Sequence, residues 1–166
     1  MAKPLVSVVM GSDSDLDVMK EAARVLSEFG IPSEVQVLSA HRSPERVRRF
    51  CLDLSKRGIQ VVIAGAGGAA HLAGVIAAHT IVPVIGVPVN SSALNGLDSL
   101  LSTVQMPAGI PVATVAIGKA GSVNAGVLAA EILAVHSKAL QAKLKKYKQK
   151  LERSVVEKNH KIQGKI

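Results

Sequence analysis

Val61-Val62-Ile63-Ala64-Gly65-Ala66-Gly67-Gly68-Ala69-Ala70-His71 is the stretch whose reading decides the fold class. An apolar, β-branched run passes into residues with nothing larger than a methyl, and then into a histidine. A strand that is apolar on both faces reads as buried in a parallel sheet. The loop after it falls at the strand's carboxyl end, where ligands bind in open α/β sheets. Glycine there admits positive φ and lets a ligand lie close to the backbone.

Outward from this stretch, strand and helix patterns alternate. Strands are expected at residues 5–10, 35–38, 60–64, 83–87 and 111–117. Helices are expected at 14–29, ending at Gly30, and then at 69–78, 97–103 and 122–136, with one more opened by Ser43-Pro44-Glu45. In that opening Ser43 is the expected N-cap, Pro44 the first helical residue and Glu45 the first-turn acid. The pattern predicts a single three-layer α/β/α domain with a parallel sheet, flavodoxin-like or Rossmann-like, over residues 1–137. A basic amphipathic helix and tail follow at 138–166. No repeat, low-complexity block or linker precedes that tail.

Composition excludes several function classes. The 166 residues contain no Trp, and Phe29, Phe50 and Tyr147 are the only aromatics. Base-stacking platforms for single-stranded nucleic acid are therefore missing. Cys51 is the lone cysteine, so neither a disulfide framework nor a cysteine metal cluster is expected, and a reducing cytoplasm is the default. Residues 1–4 lead directly into a strand pattern without the features of a signal peptide. The apolar region 61–89 is broken by glycines, prolines and histidines, so no membrane span is expected.

The net charge of +8 belongs to the tail. From Lys138 onward ten Lys and Arg stand against Glu152 and Glu157, and the preceding residues are neutral. The body thus offers no basic nucleic-acid face. In the tail Leu140, Leu144, Tyr147, Leu151 and Val155 recur at helical spacing, with Lys143, Lys145, Lys146, Lys148 and Lys150 on the wet side. Such a helix docks its apolar stripe on this subunit or a neighbour, or else meets nucleic acid or an anionic membrane surface.

Chemistry-bearing residues cluster after three expected strands. Gly11-Ser12-Asp13-Ser14-Asp15 follows the first. Its hydroxyls and carboxylates either cap the next helix, as a Ser12/Asp15 or Ser14/Asp17 box, or hold phosphate and ribose at the helix N-terminus. Ser39-Ala40-His41-Arg42-Ser43-Pro44 follows the second. His41 can carry a proton near neutral pH and Arg42 can grip a phosphate or carboxylate; the pair is either a surface loop or, given its place, part of a site.

The third cluster is the glycine-rich loop. Gly65-Ala66-Gly67-Gly68-Ala69-Ala70 satisfies G-x-G-x-x-A, but it follows the third strand. No Asp or Glu stands between Asp53 and Asp98 to hold an adenosine ribose. No Gly-Lys-Ser/Thr ending makes a Walker loop. What remains is a small ligand lying on the loop, with His71 either touching it or serving the fold.

Taken together, these motifs resemble the 5-(carboxyamino)imidazole ribonucleotide mutase family of purine biosynthesis. The resemblance rests on Gly11-Ser12-x-Ser14-Asp15, Ser39-Ala40-His41-Arg42-x-Pro44, residues 64–72, and Asp98-Ser99-Leu100-Leu101-x-x-Val104-Gln105-Met106-Pro107. It extends through residues 111–117 to about Leu133, and it is nearer to the bacterial mutases than to the animal-type carboxylases that use free carbon dioxide.

The resemblance implies a carboxylate transfer from the exocyclic nitrogen of an imidazole ribonucleotide to ring C4, without metal or cofactor. It implies His41 as the catalytic acid and base. Ser12, Ser14, Asp15 and Arg42 match ribose- and phosphate-binding positions, and Ser39 and Ala40 belong to the same substrate-binding set. Gly67, Gly68, Ala69 and His71 match the part that holds the migrating carboxylate. A homo-octamer is implied by the resemblance alone. A sister carboxylase and a non-catalytic nucleotide-binding module are the alternatives.

Four positions depart from the family pattern: Leu16 for the usual tryptophan, Ser43 for threonine, and Ala73 and Val75 for proline and methionine. Ser43 should still cap its helix. The absence of proline at 73 removes a backbone constraint beside the site.

Overall fold

A computed structural model describes residues 3–91 and 93–164. Five parallel strands, β1 (Val6–Met10), β2 (Ser33–Val37), β3 (Val61–Gly67), β4 (Val84–Val89) and β5 (Ala113–Thr114), lie in the order β2-β1-β3-β4-β5. The helices between and after them are α1 (Leu16–Phe29), α2 (Pro44–Arg57), α3 (Leu72–His79), α4 (Leu97–Val104), α5 (Gly118–Ala134) and α6 (Lys138–Gln163), with a single 3-10 turn at Asp13–Asp15. This is the flavodoxin-like α/β arrangement that the alternation predicts. Its topology turns outward from β1 in both directions, so the loops after β1 and β3 diverge at a switch point.

The strands form where the sequence is β-branched and apolar. All residues of β1 and β4 are buried, as expected for central strands covered on both faces. Strand β2 is an edge and only partly buried. Ser7, fully buried in β1, donates to Glu34 at 2.8 Å, and the same carboxylate is ion-paired with Arg57. On one face of the sheet Val9, Val62 and Ala64 pack with Val47, Phe50 and Leu54 of α2 and Leu72, Ala73 and Ile76 of α3. Cys51 lies in that core, where burial pushes its thiol pKa up to about 11; the group is neutral and inert at physiological pH.

Boundaries depart from the periodicity in physically simple ways. The fifth strand shrinks from the expected 111–117 to Ala113–Thr114. Pro111 has no N–H for the ladder, and Gly118 at φ +73 turns the chain into α5 four residues before the expected start. Helix α3 begins at Leu72 instead of residue 69, because tight bonds from Ala70 N–H to the Gly68 carbonyl and from His71 N–H to the Ala69 carbonyl hold those residues in a turn. The first helix opens with a 3-10 turn and becomes α-helical at Leu16. Gly30 ends it at φ +70, as a left-handed C-cap should.

The chain divides into two compact units, one through Ala129 and one from Ala130 onward. In the second unit Ser137 caps α6 by accepting from Leu140 N–H at 3.3 Å, and Lys148 pairs with Glu131 at 2.9 Å. Along α6 Leu144 is buried, whereas Leu151 is 51% exposed and Val155 66%. Among the described residues no helix is long and apolar enough to cross a membrane.

Candidate active site

Four loops leave the carboxyl edge of the sheet and enclose a cleft of about 620 Å³, within the ordinary range for small-ligand sites. All the residues singled out in the sequence line it: Ser12, Ser14 and Asp15 from the β1 loop, Ser39 to Arg42 from the β2 loop, and Gly67 to Ala69 with His71 from the β3 loop. Asn90 and Ser91, after β4, also line it and were missed. The signal was present: a short polar pair follows an apolar strand at the same sheet edge.

The β1 loop is organised by its own cap. Ser12 N–H donates to Asp15 Oδ2 at 3.1 Å, and Ser14 N–H reaches Ser12 Oγ at 3.4 Å, so the box is the Ser12/Asp15 pair. Asp17, the alternative partner, is bound to Lys20 at 2.5 Å on the surface. Capping therefore claims one side of Asp15 while the residue still lines the cleft. Asp15 is only 7% exposed. Burial pushes its carboxyl above the ordinary carboxylate value, against the pull of the Ser12 amide; Asp13 adds to the rise and Arg42 opposes it.

That arrangement sets a test. A folded-state pKa above the unfolded value means the folded chain holds the proton more tightly, so this contribution to stability is full below the ordinary aspartate pKa. It is lost as pH rises through the folded value. Asp15→Asn keeps an acceptor for the Ser12 amide and removes the buried charge. Thermal unfolding is expected to leave the variant at least as stable as the parent at pH 7, with a flatter stability profile through the acidic range. On the ribose-binding role that the resemblance implies for Asp15, ribonucleotide affinity measured by calorimetry should fall about tenfold or more, because a hydrogen bond to a charged acceptor would be lost. A variant less stable at pH 7 than at pH 4, relative to the parent, would contradict the assignment.

The β2 loop is clasped to the β1 loop by Arg42. Its Nη2 donates to the Gly11 carbonyl at 3.0 Å, and its backbone N–H donates to Ser39 Oγ at 3.1 Å. The guanidinium thus stands at the seam between two loops with donors to spare. Ser43 corrects the capping expectation. It occupies the N-cap position of α2, but its hydroxyl donates to the Ser39 carbonyl at 3.0 Å and accepts from Ser39 N–H at 3.3 Å. The side chain closes the Ser39–Ser43 turn instead of capping, and Pro44 at the first helical position lowers the need for a cap by having no N–H.

The β3 loop is smooth for separable reasons. A methyl at Gly65 would lie within 2.8 Å of Met19 Cε and 2.9 Å of its Cγ, so packing requires glycine there. Gly68 sits at φ +64 with open space around it, so backbone conformation requires it. A methyl at Gly67 would meet Val89 O at 3.5 Å, an ordinary contact.

At the edge of this bed His41 Nε2 and His71 Nδ1 lie 2.9 Å apart, with ring centroids separated by 5.0 Å and planes at 77°. One hydrogen occupies that contact, so one ring donates and the other accepts. A proton delivered to or taken from His41 thereby has a neighbour that can fix the ring's tautomer. Among the described residues no group of three His, Cys, Asp or Glu side chains gathers as a metal-ligand set.

A family model described as AIR carboxylase matches residues 5–154. The chain belongs to the AIR carboxylase family. Similar members of known name include the N5-carboxyaminoimidazole ribonucleotide mutase of Pyrococcus horikoshii, 58% identical over 161 residues that span 97% of this chain and 90% of the relative. The protein of the same name from Thermotoga maritima is 55% identical over 160 residues, 96% of this chain and 92% of the relative. In the family's fold, the crystal structure of Treponema denticola PurE aligns with a TM-score of 0.86 at 28% identity, covering 95% of this chain and 98% of that one.

Proposed function

We propose that this chain is an N5-carboxyaminoimidazole ribonucleotide mutase, which moves the carboxylate of its substrate from the exocyclic nitrogen to ring C4 in purine biosynthesis. The observation that carries the reading is the His41–His71 pair at the edge of a bed bearing nothing larger than methyls, in one cleft with the hydroxyls, carboxylate and guanidinium of the β1 and β2 loops. The names of relatives more than half identical over nearly the whole chain support it.

In this reading Arg42, Ser12 and Ser14 hold the phosphate and Asp15 the ribose hydroxyls, while Ser39 and Ala40 shape the turn that aims His41. Protonated His41 gives its proton to the exocyclic nitrogen. The C–N bond of the carbamate breaks, its electron pair stays on nitrogen, and carbon dioxide and the amino-imidazole form together. Carbon dioxide lies on the Gly67–Ala69 backbone beside His71. Electron density from the amine makes C4 nucleophilic; C4 attacks carbon dioxide, and the new C–C bond leaves C4 carrying both hydrogen and carboxylate. Neutral His41 removes that hydrogen as a proton, which restores the aromatic ring and the starting imidazolium. One imidazole cycling between its two forms balances both transfers. A close, water-poor bed keeps carbon dioxide next to C4 between the steps.

The exposed Leu151 and Val155 on α6 fit a contact with a neighbouring subunit in a homo-octamer, with residues 138–166 as a packed basic tail and the enzyme in the cytoplasm. Purified protein is expected to consume the carbamate substrate and yield the C4-carboxylated ribonucleotide without ATP or added bicarbonate. A strict bicarbonate requirement would instead indicate a carboxylase acting on aminoimidazole ribonucleotide. Ligand binding without turnover would indicate a sensor module.

A further inference from the structure

The β4 loop carries a polar side chain that neither the motifs nor the mechanism has used. Asn90 lines the cleft, and among the described residues its carboxamide has no hydrogen-bond partner. Its backbone is nonetheless held firmly. On one side Ser99, fully buried at the start of α4, donates to the Val89 carbonyl at 2.7 Å. On the other, Ser91 Oγ donates to Asp98 Oδ1 at 2.7 Å, and Asp98 also accepts from Ser99 N–H at 2.9 Å. Both chain neighbours of Asn90 are therefore tied to the first turn of α4.

One glycine clears the space for its carboxamide. A methyl on Gly118, at φ +73, would lie 2.7 Å from Asn90 Oδ1, whereas methyls on Gly96 and Gly67 would reach Asn90 only at ordinary contact distances, 3.4 Å from its Cα and 3.7 Å from its carbonyl. Gly118, remote in sequence, therefore leaves room for the Asn90 side chain. An exposed side chain held this way, with donor and acceptor free, is arranged as a recognition group.

Sheet order says which end of a ligand it meets. The β1 and β2 loops lie on one side of the β3 loop and the β4 loop on the other. A ribonucleotide whose phosphate and ribose engage the β1 and β2 loops lays its base over Gly67 and turns its exocyclic groups toward Asn90.

We propose that Asn90 is the specificity-determining residue that reads the exocyclic amine of the imidazole, its carboxamide oxygen accepting from that nitrogen and its NH₂ donating to the carboxylate. The inference rests on the ribonucleotide reading above. The exocyclic nitrogen keeps at least one N–H as carbamate, as free amine and in the product, so one fixed acceptor serves every stage. The amide is neutral at every pH of interest and does not compete with His41 for protons.

The test compares binding of aminoimidazole ribonucleotide with imidazole ribonucleotide lacking the amine, by calorimetry, for the parent, Asn90→Leu and Gly118→Ala. Unfolding curves establish that each variant is folded. The parent should prefer the amine-bearing ligand about tenfold, the value of one hydrogen bond. Asn90→Leu, similar in shape, should reduce that preference to about twofold or less while ribose 5-phosphate affinity stays unchanged. Gly118→Ala should weaken the preference in the same direction by displacing the carboxamide. Full retention of the preference in Asn90→Leu overturns the proposal, and so does a parent that shows none. Parent turnover of the carbamate substrate reports separately on the mutase reading: turnover without amine preference removes only the role of Asn90.

Discussion

His41→Asn is expected to abolish turnover while leaving ribonucleotide binding nearly intact. The proposed cycle passes one proton through His41 twice, and general acid–base catalysis by a placed group contributes about 10²–10⁴-fold. With both steps depending on it, the loss in kcat should reach at least the upper part of that range. In the proposed binding mode phosphate and ribose contacts come from Ser12, Ser14, Asp15 and Arg42, none of which depends on the imidazole for a hydrogen bond. The dissociation constant for aminoimidazole ribonucleotide should therefore change by no more than about threefold, less than one ordinary hydrogen bond. His41→Gln is the necessary companion, because its longer amide preserves reach toward His71 Nδ1, the atom 2.9 Å from His41 Nε2, without proton transfer at neutral pH. If either variant retains near-normal kcat, His41 leaves the mechanism. If both lose affinity as severely as rate, the residue holds substrate instead of moving protons.

Gly65→Ala is expected to destabilise the fold. Gly65 pairs with Met10 and Val87 across the sheet centre and accepts from Gly11 N–H at 3.0 Å. An added methyl has no free volume, because three atoms of Met19 converge on it and Met19 is fully buried in α1. Met19 cannot swing away without displacing neighbours, so overpacking should cost about 1–3 kcal/mol. At this chain length that corresponds to roughly 2–4 °C of Tm per kcal/mol. Gly67→Ala is the control one pleat further on: ordinary contacts there predict a stability change within about 0.5 kcal/mol. Scanning calorimetry on the two variants decides the matter, and equal melting temperatures would refute the packing argument.

Legibility followed the range of the physics. Strands β1, β3 and β4 and the stop at Gly30 were readable because burial and left-handed backbone leave local marks: β-branched runs and glycine. The β1, β2 and β3 loops were readable as a site because polar residues cluster after apolar runs. Hydrogen bonding across the turn was not readable at Ser43, whose hydroxyl serves Ser39 and not the α2 amides. Strand β5 was overextended because pattern alone does not show that Gly118 starts a helix early. Asn90 escaped although the polar pair Asn90-Ser91 after an apolar strand was visible, because a two-residue mark names no chemistry. Its significance lies in Gly118 and the first turn of α4, which meet this loop only in three dimensions. Sequence alone also left open which serine and aspartate form the cap; geometry selects Ser12 and Asp15.

Strand order has one more consequence. Because all five strands run parallel, every cleft loop departs from the same edge, and the loops of Arg42 and Asn90 are spaced by the strands between them, β1 and β3. Three interstrand steps amount to about 14 Å. The sheet acts as a length gauge whose graduations are hydrogen-bonded backbones and therefore hard to stretch. Under the proposed binding mode, a ligand must bring a phosphate and a substituted ring at a fixed separation to meet both ends. Selection by span is thus built into the sheet itself, before any single side chain makes its choice.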